Sequence, residues 1–314
     1  MLASAVDTLL DRTIAPGYGK YGLTLRRRLP GWPADPPRMD GKVVLVTGAA
    51  SGLGLAAAQG FASLGAQVLA VARNDKRAMD AERAIVGDVR GVACDVSSVA
   101  ALEALAAGVG HVDVLVNNAG VMPSERSRSV DGVEATFATH VLGPWVLMRD
   151  LGPRVERVIN VVSGGMYAQA LNAGDLMSER DEYNPKTFYA RSKRAEMTIT
   201  EQWARRLGGV AVHAMHPGWA DTTGVQGAMA VFRAVTRPIL RDGAEGADTI
   251  VWLGGSPEPL RSTGKFWMDR RQRPTHYRIG ASPDSEADRE ALWSLCEDLA
   301  SKARSSAGSS SSTA

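Results

Sequence analysis

Three side chains in the middle of the chain have the chemistry to move a proton onto or off a carbonyl oxygen. Tyr189 and Lys193 are four residues apart, one helical turn, so a phenol and an ammonium would project from the same face. A phenol ordinarily keeps its proton up to a pH of about 10, and a fixed positive charge beside it favours the phenolate. Ser163 precedes them and supplies a hydroxyl for a substrate oxygen. We predict Tyr189 as general acid/base, Lys193 as the group that tunes it and Ser163 as the oxygen anchor.

A glycine-rich turn gives this trio its context, because an isolated Tyr-x-x-x-Lys pair also occurs on exposed helices. Residues 47–54 read Thr-Gly-Ala-Ala-Ser-Gly-Leu-Gly, between the apolar run 43–46 and a helical pattern over 53–64. Glycines there permit close approach to a pyrophosphate, and the helix start favours anionic oxygens. A turn alone could be a loop that only needs positive φ, but its place between strand and helix indicates a dinucleotide site. The residues we expect to bind the dinucleotide here are Thr47, Gly48, Ser51, Gly52, Leu53 and Gly54.

Strand and helix patterns alternate from residue 41 to about residue 280. Further strand candidates are residues 67–72, 91–94, 112–116, 157–162 and 210–215, with helix candidates between them. Short apolar runs separated by helices are typical of parallel strands buried on both faces. The sequence predicts an α/β fold class for residues 41–280: a single Rossmann-type, doubly wound parallel sheet with helices on both faces.

The two ends of the chain differ from this pattern. Residues 1–40 are rich in Pro and Gly, which predicts an N-terminal arm and not a core element. Arg26–Arg28 stand beside apolar residues and could touch a membrane surface, although so short a run is more often a solvated face. Residues 281–303 predict a C-terminal helix with Ser282 and Pro283 at its start, and 304–314 a disordered Ser-rich tail.

Composition excludes several classes of protein. The 314 residues contain 36 Lys plus Arg and 34 Asp plus Glu, a net charge of +2, so we expect no nucleic-acid partner. The sequence has neither a run of about 18 apolar residues nor a secretory leader pattern, which predicts no membrane span and a cytoplasmic location. Two distant cysteines and five scattered histidines favour neither disulfides nor a metal site.

The order of these motifs resembles the short-chain dehydrogenase/reductase superfamily. The resemblance is carried by the Gly-x-x-x-Gly-x-Gly turn, the tetrad Asn-Asn-Ala-Gly at 117–120, and Ser163 followed by Tyr189 and Lys193. It implies that Lys193 also binds a ribose, that a Pro-Gly turn lies against the nicotinamide, and that a homodimer is a common assembly. The further cofactor contacts that it implies are Asp95, Val96, Asn118, Ala119, Gly120, Pro217, Gly218 and Thr222.

The end of the second predicted strand bears on the choice of cofactor. NAD-specific folds place an acidic residue there for the ribose 2′-hydroxyl, whereas a basic neighbour suits the 2′-phosphate of NADP. Here Ala72 stands where the acid would be, and Arg73 follows. We predict NADP (NADPH) as the cofactor, with Arg73 as a contact, although Arg73 could instead be a solvated surface residue.

One spacing and one substitution distinguish this chain within the superfamily. Ser163 and Tyr189 are 26 residues apart, a wide spacing that resembles the retinol dehydrogenase-like branch. His140 occupies the place where the superfamily usually has an Asn that supports a water in the proton path from the Lys. We include His140 among the catalytic predictions, with a purely structural histidine as the alternative.

The segment 223–240 would close over the substrate crevice of such a sheet. Its Val, Met, Phe and Ile residues favour a lipophilic carbonyl or alcohol, unless they only pack onto the core. We predict an NADP-dependent oxidoreductase that interconverts an alcohol and a ketone or aldehyde. The alternative is a catalytically silent NADP-binding regulatory or scaffold protein.

Overall fold

The computed structural model describes residues 2–13, 17–221, 236–277 and 281–310, which form one eight-stranded sheet covered by helices. The strands are β1 (Val43–Thr47), β2 (Gln67–Ala72), β3 (Val89–Ala93), β4 (Val112–Asn117), β5 (Val155–Val161), β6 (Ala211–Met215), β7 (Lys265–Met268) and β8 (Arg271–Arg273). Their order is β3-β2-β1-β4-β5-β6-β7-β8, and all pairs are parallel except β7 with β8. The predicted Rossmann-type sheet is confirmed.

The helices lie on both faces of this sheet, around two apolar cores. They are α1 (Leu2–Arg12), α2 (Lys20–Arg28), α3 (Gly52–Ser63), α4 (Asp75–Ala84), α5 (Val99–Gly108), α6 (Gly143–Leu151), α7 (Pro185–Arg206), α8 (Gly243–Gly255) and α9 (Glu286–Ser310). One core contains side chains of α5, α6, α7 and α9, and the other those of α3, α4 and α8. The strand order reverses between β1 and β4, which opens a crevice at their carboxyl ends.

The strands β7 and β8 were not predicted from the sequence. They form a hairpin whose turn residues, Asp269 and Arg270, both have positive φ, at 53° and 54°. Such a turn matches the twist of the two strands it joins. Because β8 reads Arg-Gln-Arg, it carries no apolar run that could identify it as a strand.

The N-terminal arm is packed onto the sheet and contributes to the core, which corrects the prediction of an arm outside it. Tyr18 and Leu23 are buried, and Arg26 is fully inaccessible. Arg26 donates hydrogen bonds to Asp7 at 2.9 Å and to Asp269 at 2.6 Å. Burial of a guanidinium requires such partners, and one of them lies 243 residues away in the sequence.

The basic run in the arm divides into one buried and two exposed arginines, so the solvated face and the membrane contact remain predictions for Arg27 and Arg28. Arg26 is buried, and Arg27 donates to Asp248 at 3.0 Å. Within the described ranges, no helix combines the length and apolar character that crossing a bilayer requires. The cytoplasmic location and the homodimer remain predictions.

The C-terminal helix α9 begins and ends later than predicted. Its cap is Ser285 in place of Ser282, because the Ser285 hydroxyl accepts from the Asp288 amide at 3.1 Å and the Asp288 carboxylate accepts from the Ser285 amide at 3.3 Å. The helix continues to Ser310, beyond residue 303, where its predicted end lies. Each added residue of an existing helix gains one backbone hydrogen bond, which favours this extension through Ser and Ala.

Candidate active site

A cavity of about 1640 Å³ opens at the carboxyl ends of the strands. The sequence-predicted residues that line it are Gly48, Ser51, Gly52, Leu53, Arg73, Asp95, Val96, Asn118, Ala119, Gly120, Ser163, Tyr189, Lys193, Pro217 and Gly218. Thr47, Gly54 and His140 contact members of this lining from beneath. Thr222 lies outside the described residues, as do positions 223–235 of the predicted substrate segment. The functional roles predicted for these residues remain predictions.

The glycine-rich turn is fixed to the end of β4 by Thr47. The Thr47 hydroxyl accepts from the amides of Asn118 and Ala119, both at 3.0 Å, and the Asn118 side-chain amide donates to the Thr47 carbonyl at 2.9 Å. Gly48 has a φ of 69°, and a Cβ there would lie 2.9 Å from the Cα of Ala119. A Cβ at Gly54 would lie 2.3 Å from the Gly48 carbonyl oxygen. Only glycines permit this close packing, which leaves the start of α3 open to an anion.

Two arginines line the cavity, one directly after β2 and one at the start of α4. Arg73 follows β2, and Arg77 lies in the first turn of α4, where Asn74 caps the helix by accepting from the Arg77 amide at 3.0 Å. Both arginines are exposed, and within the described residues neither guanidinium has a hydrogen bond or an ion pair. Sequence reasoning identified Arg73 and missed Arg77, which lies in the first turn of the helix that follows β2.

The predicted catalytic trio comes together on α7 and at the end of β5. Asn184 caps α7 by accepting from the Thr187 amide at 3.1 Å, and Pro185 occupies the first turn. The Lys193 ammonium nitrogen lies 5.8 Å from the centroid of the Tyr189 ring. Ser163 lines the same cavity, and its hydroxyl accepts from the Gly165 amide at 3.2 Å. The Ser163 hydroxyl hydrogen is thus left to donate to a ligand.

Lys193 has a buried anionic partner that sequence reasoning missed. Its ammonium donates to the Glu196 carboxylate at 2.7 Å and to the Val161 carbonyl at 2.8 Å. The exposed fraction is 4% for the Lys193 side chain and 1% for that of Glu196. Burial raises the pKa of Glu196 to about 7, although Lys193 opposes the shift. The spacing of three residues was visible in the sequence, but it is common to exposed helix pairs as well.

His140 is held by hydrogen bonds at both ring nitrogens. The Val121 amide donates to Nε2 at 2.9 Å, so the ring proton is on Nδ1, which lies 2.8 Å from the Ser192 hydroxyl. Ser192 in turn donates to the Tyr189 carbonyl at 2.8 Å. Burial and the charge of Lys193 hold the pKa of His140 well below its usual value. This arrangement supports a neutral His140 that positions α7, and it leaves no ring nitrogen free for a water.

The loop after β6 packs against the loop after β5 through His216. The His216 Nδ1 accepts from the Gly164 amide at 3.2 Å, and burial lowers the pKa of His216 to about 3. Pro217 and Gly218 follow in the cavity wall, and Gly218 has a φ of 76°. The neutral imidazole therefore joins the Ser163 loop to the predicted nicotinamide loop.

The arm supplies part of the cavity wall, a contribution that sequence reasoning missed. The Tyr18 ring meets the His216 ring edge-on at 4.9 Å, and the Tyr18 carbonyl accepts from the Trp219 amide at 2.8 Å. Tyr167 and Tyr277, whose ring centroids are 4.4 Å apart, line the same region. Three phenol rings converge there, beside Asp11 and Arg12 of α1, with the Tyr277 hydroxyl donating to Asp11 at 2.9 Å.

Comparison with known proteins gives consistent similarities. The model of the short chain dehydrogenase family matches residues 42–230. Dehydrogenase/reductase SDR family member 12 of Bos taurus is 36% identical over 277 residues, covering 84% of this chain and 87% of the relative. Retinol dehydrogenase 14 of Homo sapiens is 30% identical over 299 residues, again covering 84% and 87%. A short chain dehydrogenase from Burkholderia cenocepacia J2315, solved with NADP, has a TM-score of 0.59 and 25% identity, covering 73% of this chain and 96% of that one.

Proposed function

This chain belongs to the short-chain dehydrogenase/reductase family of NAD(P)-binding oxidoreductases, and we propose that it is an NADP-dependent enzyme that interconverts an alcohol and a ketone or aldehyde. The proposal rests on one observation above all. Ser163, Tyr189 and Lys193 line a single cavity together with a glycine turn that is packed too closely for any side chain. Family membership supports action on CH–OH groups, and the finer assignments below rest on the cavity.

The residues present fit a dinucleotide, since the open start of α3 and the Gly48 turn favour a pyrophosphate. When bound, the nicotinamide supplies or accepts the hydride at the substrate carbon. In the direction of reduction, Tyr189 donates its phenolic proton to the carbonyl oxygen, and Ser163 donates a hydrogen bond to the same oxygen. Lys193 stabilises the resulting phenolate. The third N–H of its ammonium, beyond those given to Glu196 and Val161, is available for a ribose hydroxyl.

NADP is favoured over NAD by the charges at the ribose end of the cavity. Arg73 and Arg77 provide two guanidinium groups without carboxylate partners within the described residues, and Ala72 provides no acid for a 2′-hydroxyl. A 2′-phosphate would gain charge-assisted hydrogen bonds from this pair.

A lipophilic substrate is favoured by the aromatic end of the cavity. Tyr18, Tyr167, Tyr277 and Trp219 line it with ring surfaces, and the human relative is named as a retinol dehydrogenase. Aromatic rings bury large apolar ligand areas at little cost in conformational entropy. This lining replaces the predicted segment 223–240, of which 223–235 lie outside the described residues, as the support for the proposal.

The test follows NADPH absorbance with purified protein against a panel of lipophilic and small polar carbonyls. We expect turnover of lipophilic members, a higher kcat/KM with NADPH than with NADH, and a loss of at least about a thousandfold in kcat for Tyr189→Phe. Tyr21→Phe is the matched control, because Tyr21 is 60% exposed. NADPH binding without turnover of any carbonyl would contradict the proposal and favour the catalytically silent alternative.

A further inference from the structure

Glu196 is a fully buried carboxyl group that the proposed reaction does not itself use. It lies on α7 three residues after Lys193 and seven after Tyr189, so the three side chains follow one helix face. The Glu196 Oε2 is 2.7 Å from the Lys193 ammonium nitrogen. Both side chains are almost inaccessible to water, so their interaction is little screened. The negative carboxylate therefore offsets much of the electric field of the ammonium.

The contacts of Lys193 restrict where its ammonium can lie. The Val161 carbonyl at the end of β5 and the Glu196 carboxylate each accept one of its three N–H donors, at 2.8 and 2.7 Å. A flexible lysine side chain is thus held from the β5 side and from its own helix. The Glu196 carboxylate therefore sets both the position of the ammonium and the net charge at that position.

The other ionisable groups around the pair do not replace this negative charge. His140, from the π-helical turn 138–142, stays neutral because burial and Lys193 lower its pKa. Tyr189, on α7, is the proposed proton donor itself. β5 contributes the Val161 carbonyl, and Thr200 donates its hydroxyl to the Glu196 backbone carbonyl at 2.7 Å. The balance of charge beside Tyr189 thus depends on whether Glu196 is ionised.

We propose that Glu196 is a positioning residue that holds Lys193 and offsets part of its charge, so that the ionisation of Glu196 sets the pH range in which Tyr189 exchanges its proton. This inference rests on the proposed roles of Tyr189 and Lys193. With Glu196 ionised, the phenolate is less favoured; with Glu196 protonated, the uncompensated ammonium favours it more. The raised pKa of Glu196, about 7, brings this change into the neutral range.

Glu196→Gln tests the inference, because the amide keeps the size of the side chain and an oxygen for Lys193 but removes the charge. We expect the apparent pKa of Tyr189 to fall by about one unit. The pH profile of kcat/KM for alcohol oxidation should move to lower pH by the same amount. Titration of phenolate absorbance near 295 nm, with Tyr189→Phe subtracted, reads the ionisation without turnover. The absorbance experiment thus remains decisive even if the proposed oxidoreductase activity is not found.

Two further variants separate charge from structure. Glu196→Asp keeps the charge and should leave the Tyr189 titration within about 0.3 units of the wild type, with a weaker affinity for NADPH if the ammonium shifts. Glu201→Gln, on the same helix but paired with Arg289, should leave the titration unchanged. A Tyr189 titration that is the same in Glu196→Gln as in Glu201→Gln would overturn the inference. Should Glu196→Gln not fold, a wild-type-like titration in Glu196→Asp supports the charge role, and one shifted to lower pH overturns it.

Discussion

Replacement of Asp269 by Asn should loosen the N-terminal arm, which keeps its second ion pair to the sheet through Asp7 and Arg273. The Asp269 carboxylate is 1% exposed and accepts from Arg26 at 2.6 Å and from two nitrogens of Arg241 at 2.6 and 2.9 Å. Asn preserves the size of the side chain and tolerates the φ of 53° at this position, so the change removes mainly the negative charge. Arg26 keeps Asp7 as a partner, whereas Arg241 is left bonded to backbone carbonyls.

The size of the effect follows from the burial of these groups. Removing one partner of a buried ion pair destabilises a protein by about 3–5 kcal/mol. At roughly 2 °C per kcal/mol for a chain of this size, the Tm should fall by about 6–10 °C. Despite the opposing effect of burial, Arg241 and Arg26 hold the pKa of Asp269 below its usual value. The stabilisation is therefore present above pH about 4 and is lost as pH falls through the folded-state pKa, so the two proteins should converge in acid.

Thermal unfolding at pH 7 and at successively lower pH values down through the folded-state pKa of Asp269, with limited proteolysis of the arm, measures both parts of this prediction. Asp35→Asn is the control, since Asp35 pairs with Arg270 while its side chain is 86% exposed. A Tm for Asp269→Asn that matches the control would refute the reasoning. A loss of stability that stays the same over this whole pH range would refute the assignment to the charge of Asp269.

Three other changes probe the cavity. Arg73→Ala should raise KM for NADPH by about tenfold or more and leave KM for NADH unchanged, which steady-state kinetics with both cofactors will measure. Tyr18→Ala should raise KM for lipophilic carbonyls about tenfold with little change for small ones, whereas Tyr21→Ala should alter neither; equal effects on all substrates would contradict a role for Tyr18 in substrate contact. His140→Phe should lower the free energy of unfolding by about 1–3 kcal/mol, because the Val121 amide and Ser192 lose their partner. The pH profile of the remaining activity should keep its shape, since a neutral His140 does not titrate there.

The middle of the sheet could be predicted because its strands carry apolar runs that are buried on both faces. β1, β2 and β4 each contain a run of at least three Val, Leu or Ala residues. The hairpin of β7 and β8 could not be predicted, since β8 is polar and is identified only by its pairing with β7. The burial of Arg26 was also beyond prediction, because its partner Asp269 is 243 residues away.

The residues of the candidate site likewise fall into those that the sequence could predict and those that it could not. Ser163, Tyr189 and Lys193 are identified by residue type and order, since local spacing on one helix determines which side chains share a face. Tyr18 has no such signal, because its place in the cavity depends on residues far away in the sequence, such as His216 and Trp219. Glu196 had a signal in its spacing from Lys193, but the sequence does not reveal whether such a pair is exposed or buried.

The two halves of the cavity are held by different sets of hydrogen bonds and ion pairs. The groups proposed to exchange protons lie on α7 and are set by hydrogen bonds within it and to its neighbours, as for Lys193 with Val161 and Glu196. The aromatic wall at Tyr18 is fixed instead by the arm, which is attached by the ion pairs of Arg26 with Asp269 and of Asp7 with Arg273. The arm reaches the reacting groups through His216, which contacts Tyr18 and the Ser163 loop, so a change in the arm should alter substrate selection and the Ser163 loop before it alters the contacts of Lys193 on α7. An oxidoreductase built in this way would keep one reaction across substrates of different shape.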